Sequence, residues 1–248
     1  MIRIIKNLLS YMAFFILWHL FVLWLKIPAY LLPDPLSVLH ALINNFSIIL
    51  PNMFITLKES ILGFLLANTL SVIIALIIAF KKELEDTIIP FAITLKTIPI
   101  VAITPLLVLW FGPGEYSKIA TAALICFFPS LVNVLRGVKS LDRDHIAFFK
   151  AYSANKVQLI QLLIMPSILP YLFAALKVSS SLTIVGTLVG EFVGANKGLG
   201  FLILSNYYVL NTAMVFACLM VSSLMGIVFY YTINYFEKRI ITWTSVID

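Results

Sequence analysis

The sequence predicts an all-α, polytopic membrane protein of about six transmembrane helices, and three observations carry that prediction. First, 62% of the 248 residues are hydrophobic and only 11% are charged, and the mean hydropathy is +1.06. Soluble domains hold about half apolar and roughly a quarter charged residues, so no soluble fold would cover this surface. Second, apolar runs of membrane length follow one another with short polar joints. Six spans of about 20 residues fill roughly half the chain, which leaves one membrane domain over residues 1–248 and no room for a separate soluble one. Third, one polar interval, residues 136–170, stands out between two such runs and carries five Lys and Arg residues.

The spans can be taken in order. Arg3 and Lys6 precede an apolar run that is too long for a signal-peptide core and is followed by no small-residue cleavage pattern. Residues 8–25 are therefore expected as an uncleaved first span. His19 lies within it, where a lone histidine more often pairs with a neighbouring helix than performs chemistry. Pro28, Pro33 and Pro35 then break the chain. Helical spacing of Leu36, Leu39, Leu42 and Ile43 predicts a short amphipathic helix over residues 35–46 at the outer surface. A second span is expected over residues 61–80.

The third apolar run, residues 88–111, is interrupted by Pro90, Pro99 and Pro105 and contains Lys96. Prolines free backbone carbonyls, which in lipid must be met by neighbours or cavity water, so a broken helix is expected to face protein or a pathway. The alternative is a kinked helix with a snorkelling lysine. The fourth span is expected over residues 119–135. The fifth, over residues 168–190, is rich in Ser, Thr and Gly in its later half, which lets membrane helices approach closely. Glu191 follows it, as a structural carboxylate or as part of an exit. The stretch EFVGANKGLG reads as a polar loop, and the sixth span is expected over residues 213–236.

Charge sets the orientation. With the N-terminus inside, eleven Lys and Arg fall on inner segments and four on outer ones (Lys26, Lys58, Lys118 and Lys197), with Lys96 and Lys177 inside spans. The excess favours cytoplasmic termini and a cytoplasmic 136–170 stretch. It also accounts for the net charge of +6 without nucleic acid. Cys126 and Cys218 lie in apolar runs and read as buried thiols. No metal-ligand spacing, nucleophile motif or phosphate loop is present, so no catalytic residue, metal site or cofactor is expected in this chain.

Motifs agreeing in order complete the reading. LPDPLSVL, IPIVAITPLLVLWFGPGEYSK, FFPSLVNVLRGV and GEFVGANKGLGFLI surround a loop in which Ser153-Ala154, Gln158 and Met165-Pro166 stand at fixed spacing. From Leu32 onward the chain resembles the permease subunits of bacterial ABC importers, in the branch serving nitrate, sulfonate, taurine and thiamine-precursor uptake. The resemblance implies a type I importer permease (MetI-like) fold in the bacterial cytoplasmic membrane. It implies pairing with a second permease copy, two separate ATPase subunits that bind the ATP, and a solute-binding protein outside. It makes residues 137–167 the coupling loop, a short helix that docks into the ATPase, with Ala147, Lys150, Ala151, Ser153, Ala154, Lys156, Gln158 and Pro166 as its residues.

The loop departs from the family pattern. Ala147-Phe148-Phe149 replace the usual Glu-Ala-Ala, and Ser153 replaces the usual glycine. Apolar contact by Phe148 and Phe149, or charge from Asp142 or Asp144, would have to stand in for the missing acid. Lys96, Pro99, Pro105, Ser180, Thr183 and Glu191 are the residues expected along the translocation path, on their proline and small-polar character. The rival class is an ion-coupled secondary transporter, which normally needs paired acids near the midplane.

Overall fold

A computed structural model of the chain describes the backbone of residues 2–243, and the side chains of all of these except residues 2–8, 11, 82, 143 and 150. Met1 and residues 244–248 of the expected single domain fall outside the described residues, as does the side chain of Lys150. Among the described residues the secondary structure is helical, without strands.

Helix α1 (Ile2–Trp24) stands at the edge of the bundle. It is held to the rest by Trp18, whose ring lies 5.7 Å from that of Phe216, and by His19, which pairs with Asp34. Asp34 is the N-cap of α2 (Pro35–Asn44), with Pro35 in the first turn, where its missing N–H and fixed φ suit a helix start. The expected amphipathic helix is thus present, but its inward residue is Val38, fully buried, while Leu36, Leu39 and Ile43 face out. An apolar stripe turned away from the protein suits a helix lying in the bilayer interface.

The second expected span is the first substantial correction. Helix α3 runs over Phe46–Phe80, 35 residues, about 52 Å at helical rise. Its first half, ahead of the expected start at residue 61, carries Asn52, Thr56, Lys58 and Glu59; Asn52 and Thr56 accept from the Gly198 and Leu199 amides, and Lys58 pairs with Glu115. The third run does break. Helices α4 (Glu85–Thr97) and α5 (Ile100–Phe111) meet at 98°, with Ile98 and Pro99 both extended at the corner. A residue before proline is pushed out of the helical region, so Pro99 makes the corner, whereas Pro90 and Pro105 sit inside helices.

Helix α6 (Glu115–Lys139) leads into α7 (Arg143–Ala151). A short α8 (Lys156–Leu159) then passes through a π-helical turn (Ile160–Ile164) into α9 (Met165–Phe192). The expected polar loop holds over residues 193–198, and a helix that the sequence reading did not place, α10 (Leu199–Tyr208), follows it before α11 (Thr212–Ile240). Among the described residues four helical runs are long and apolar enough to cross a membrane: α3, α6, α8 through α9, and α11. The bent α4–α5 pair is a fifth, and the described apolar part of α1 is Met12–Trp24.

The centre of the bundle is α3, α6 and α9. They touch at Ala122, which is fully buried. A Cβ placed on Gly63 of α3 would stand 2.6 Å from the Ala122 Cβ, and one on Gly186 of α9 would stand 2.8 Å from the Ala122 Cα. Neither helix could come so close with a larger residue, which is how the small-residue stretch of the fifth span acts. Two apolar clusters cap this centre. One joins α4, α6, α9 and the π-turn around Val134 and Ile168. The other joins α2, α3, α9, α10 and α11 around Ile49, Leu199 and Cys218.

Candidate functional site

Two sites lie at opposite ends of α9, about 40 Å apart at helical rise. At its N-terminal end is the expected coupling segment, built by local backbone chemistry. Helix α7 stops because Ser153 turns left-handed, with φ 56°. The Ala154 N–H then donates to the Phe149 carbonyl at 3.0 Å, the hydrogen bond that closes a helix with a left-handed residue after its end. This explains why the family places glycine there: a side chain in this conformation costs about 1–2 kcal/mol. Asn155 next begins α8 with a reciprocal cap. Its side chain accepts from the Gln158 N–H at 2.9 Å, and the Gln158 side chain accepts from the Asn155 N–H at 2.8 Å. Gln158 is thus a capping residue of the coupling turn.

Past α8 the Met165 N–H reaches back to the Ile160 carbonyl, one residue further than in an α-helix. Pro166 follows immediately and has no N–H to continue the pattern. The π-turn therefore joins α8 to α9 without a loop. Ala147, Ala151, Ser153 and Lys156 are exposed on this segment, and Ala154 and Pro166 are half-buried. Lys139, in the last turn of α6, pairs with Glu85 at the start of α4.

At the far end of α9 three helices supply one polar junction. Glu191 is 1% exposed. Its carboxylate accepts from the Thr56 hydroxyl at 2.6 Å and from the Gly200 N–H at 2.5 Å. Thr56 Oγ1 in turn accepts from the Leu199 N–H at 2.8 Å, and Asn52 Oδ1 from the Gly198 N–H at 2.7 Å. The N–H groups of the N-cap Gly198 and of the first two residues of α10, orphaned in any helix start, are thus met by side chains of α3 and α9. Gly198 has φ 104°, a conformation that favours glycine. Glu59 lies beside Glu191 and Lys118, with its Oε2 buried and unpartnered. Lys118 is 2% exposed and donates to the Pro113 carbonyl.

The residues expected along the path fall into two groups. Lys96, Pro99 and Pro105 are exposed on the bent α4–α5 pair, and the Lys96 Nζ sits 4.7 Å from the Phe128 ring centre. Ser180, Thr183 and Glu191 are buried against neighbouring helices of the same chain. Ser180 donates to the Lys177 carbonyl and Thr183 to the Ser60 carbonyl, at 2.7 and 2.8 Å. The structure brings Glu191 together with Asn52, Thr56, Glu59 and Lys118, which the sequence reading missed. A signal was there: Asn52, Thr56, Ser60, Gly63, Ala67 and Ser71 recur at spacings of three and four, one small and polar face of a helix. His19 pairs with Asp34, as a lone membrane histidine was expected to do.

Comparison with known proteins agrees with this architecture. A family model described as the binding-protein-dependent transport system inner membrane component matches residues 67–242. The formylaminopyrimidine transport permease protein ThiX of Halalkalibacterium halodurans is 31% identical over 236 residues, covering 95% of this chain and 94% of its own. The riboflavin transport system permease protein RibX of Chloroflexus aurantiacus is 31% identical over 236 residues, covering 94% and 88%. A solved structure of the MetNI methionine ABC transporter in an inward-facing conformation superposes with a TM-score of 0.68 at 15% identity, over 79% of this chain and 97% of that one; it speaks for the fold. The chain belongs to the family of binding-protein-dependent transport system inner membrane components, as a multi-pass permease of an ABC importer.

Proposed function

We propose that two copies of this chain form the membrane path of an importer, with residues 137–167 docking on separate ATPase subunits and a binding protein delivering solute at the opposite face. ATP is bound and hydrolysed by the partner, and this chain carries no cofactor. The excess of Lys and Arg supports a cytoplasmic coupling segment and cytoplasmic termini. The observation that carries this reading is the continuity of α8, the π-turn and α9, a 37-residue run. A push on α8 is delivered along one rod to the α3–α6–α9 centre, the kind of element that rigid-body switching requires.

The path lies at the interface of the two copies, and the exposed Lys96, Pro99 and Pro105 on α4–α5 are its first candidate lining. Ser180, Thr183 and Glu191 act from behind, by fixing α9 against α3. For the solute, sulfonate, taurine, nitrate and a thiamine pyrimidine precursor all fit the branch. The near full-length matches to permeases named for formylaminopyrimidine and riboflavin favour a heteroaromatic vitamin or vitamin precursor.

The test is reconstitution with its ATPase and binding protein. Charge reversal at Lys150 and Lys156 and a bulky residue at Ala154 are each expected to lower ATPase binding and uptake. Unchanged binding and uptake in all three variants would remove the docking claim. Uptake by the chain alone under an ion gradient would favour the secondary-transporter reading instead.

A further inference from the structure

The coupling segment shows an aromatic surface that its backbone geometry does not need. Phe148 is 57% exposed and Tyr152, one turn later, is 75% exposed. Their ring centres are 4.7 Å apart, so they form one knob on α7. Phe149, which the sequence offered equally, is half-buried and stands edge-on behind it, 5.9 Å from Phe148. Small exposed residues, Ala147 and Ala151, flank the knob on the same face. Among the described residues α7 packs extensively against no other helix, so nothing in this chain covers the rings.

Aromatic rings at the edge of a membrane protein often sit in the headgroup belt, but the length of the adjoining rod argues against that here. The run from Lys156 to Phe192 has 37 residues, about 55 Å at helical rise, against about 30 Å of hydrocarbon. Its α8 end carries the polar residues Lys156, Gln158 and Gln161. The near end, with α7 beside it, therefore projects beyond the hydrocarbon into the aqueous phase.

We infer that Phe148 and Tyr152 enter an apolar pocket on the partner ATPase, and that docking is held by burial of these two rings rather than by an ion pair. The inference rests on the docking role given above to residues 137–167. It specifies the partner: an ATPase subunit whose cleft presents an aromatic or aliphatic pocket to the first helix of the segment. Subunits whose cleft relies on a basic residue meeting an acid would bind this permease poorly, because Ala147, Phe148 and Phe149 supply none.

The experiment uses the full-length chain in nanodiscs and a purified ATPase subunit shown to support uptake with it. The double variant F148A/Y152A is expected to weaken ATPase binding at least tenfold, while F148L/Y152F stays within about threefold of the original, since apolar area is the driving term. The loss caused by F148A/Y152A is expected to be of similar size at about 50 and about 500 mM salt, because screening acts on charges and not on apolar area. Unchanged binding by F148A/Y152A together with a steep salt dependence overturns the inference. If F148A/Y152A binds normally while a bulky residue at Ala154 blocks binding, the knob is wrong but the docking segment stands. If neither change matters, the docking role itself fails. A Tyr152→Trp variant whose fluorescence is quenched by brominated lipid before ATPase is added places the knob in the bilayer and also overturns the inference.

Discussion

Thr56 on α3 and Glu191 on α9, 135 positions apart, share a 2.6 Å hydrogen bond with both side chains buried. The same pair accepts the Leu199 and Gly200 amides of α10. One contact therefore ties two spanning helices to the start of a third, and it determines which substitutions at this end are tolerated.

Replacing Glu191 by Ala strands the Gly200 N–H away from water and leaves the Thr56 hydroxyl only its longer bond to the Asn52 carbonyl, 3.2 Å. Buried donors without partners cost about 1–3 kcal/mol each. The expected result is a loss of about 2–4 kcal/mol, from the unmet amide and the space left by the side chain, and a clear fall in the thermal unfolding midpoint of the detergent-solubilised protein. Glu191→Gln keeps one acceptor and is expected to lose less than half as much. An unchanged midpoint in the Ala variant would contradict the geometry.

Ser153 holds a left-handed backbone at the end of α7. Ser153→Gly is expected to stabilise the coupling segment by about 1 kcal/mol, because the conformational strain is removed. Ser153→Val, β-branched, is expected to destabilise it by more than that. Hydrogen exchange of the Ala154 and Tyr152 amides reports both directions.

Ala122 is the contact point of three helices, so its neighbours should trade volume. Gly63→Ala places a methyl where only 2.6 Å is available, and overpacking of this kind costs about 1–3 kcal/mol. Combining it with Ala122→Gly is expected to restore much of the loss. The fraction of monodisperse protein on size-exclusion chromatography distinguishes rescue from simple addition of two defects.

The reciprocal cap at α8 is local and separable. Asn155→Ala removes the acceptor for the Gln158 N–H, worth about 1 kcal/mol, and Gln158→Ala removes its counterpart. Both should raise exchange of the α8 amides while leaving α9 protected. If α9 loosens equally, the π-turn is not the boundary described here.

Periodicity and composition made the fold class legible, and the apolar runs placed every long helix to within a few residues except α3. That helix failed because a half-polar face reads as a loop unless its partners are known. Asn52 and Thr56 are accommodated in this helix by accepting from the Gly198 and Leu199 amides, and those amides lie about 140 positions away. Pro99 was legible as a break because proline acts through its own ring; the 98° corner was not, since its angle is set by packing on α6. In the expected coupling segment, the roles of Ser153 as helix stop and Gln158 as cap depend on backbone angles that residue identities leave open. Lys118 read as a loop lysine and is instead among the most buried side chains of the bundle.

The far-end junction also imposes an order on biogenesis. As the chain emerges from the ribosome, α3 presents Asn52, Thr56 and Glu59 to the insertion machinery, and α6 later presents Lys118, while Glu191 and the amides of α10 are still untranslated. Until then these groups must be sheltered by water or by the translocon, so the first three spanning segments cannot settle singly into lipid. They remain a held intermediate, released together when the ninth and tenth helices arrive. A nascent chain arrested before Glu191 should therefore stay cross-linkable to the translocon at Thr56, and one arrested after Tyr208 should not.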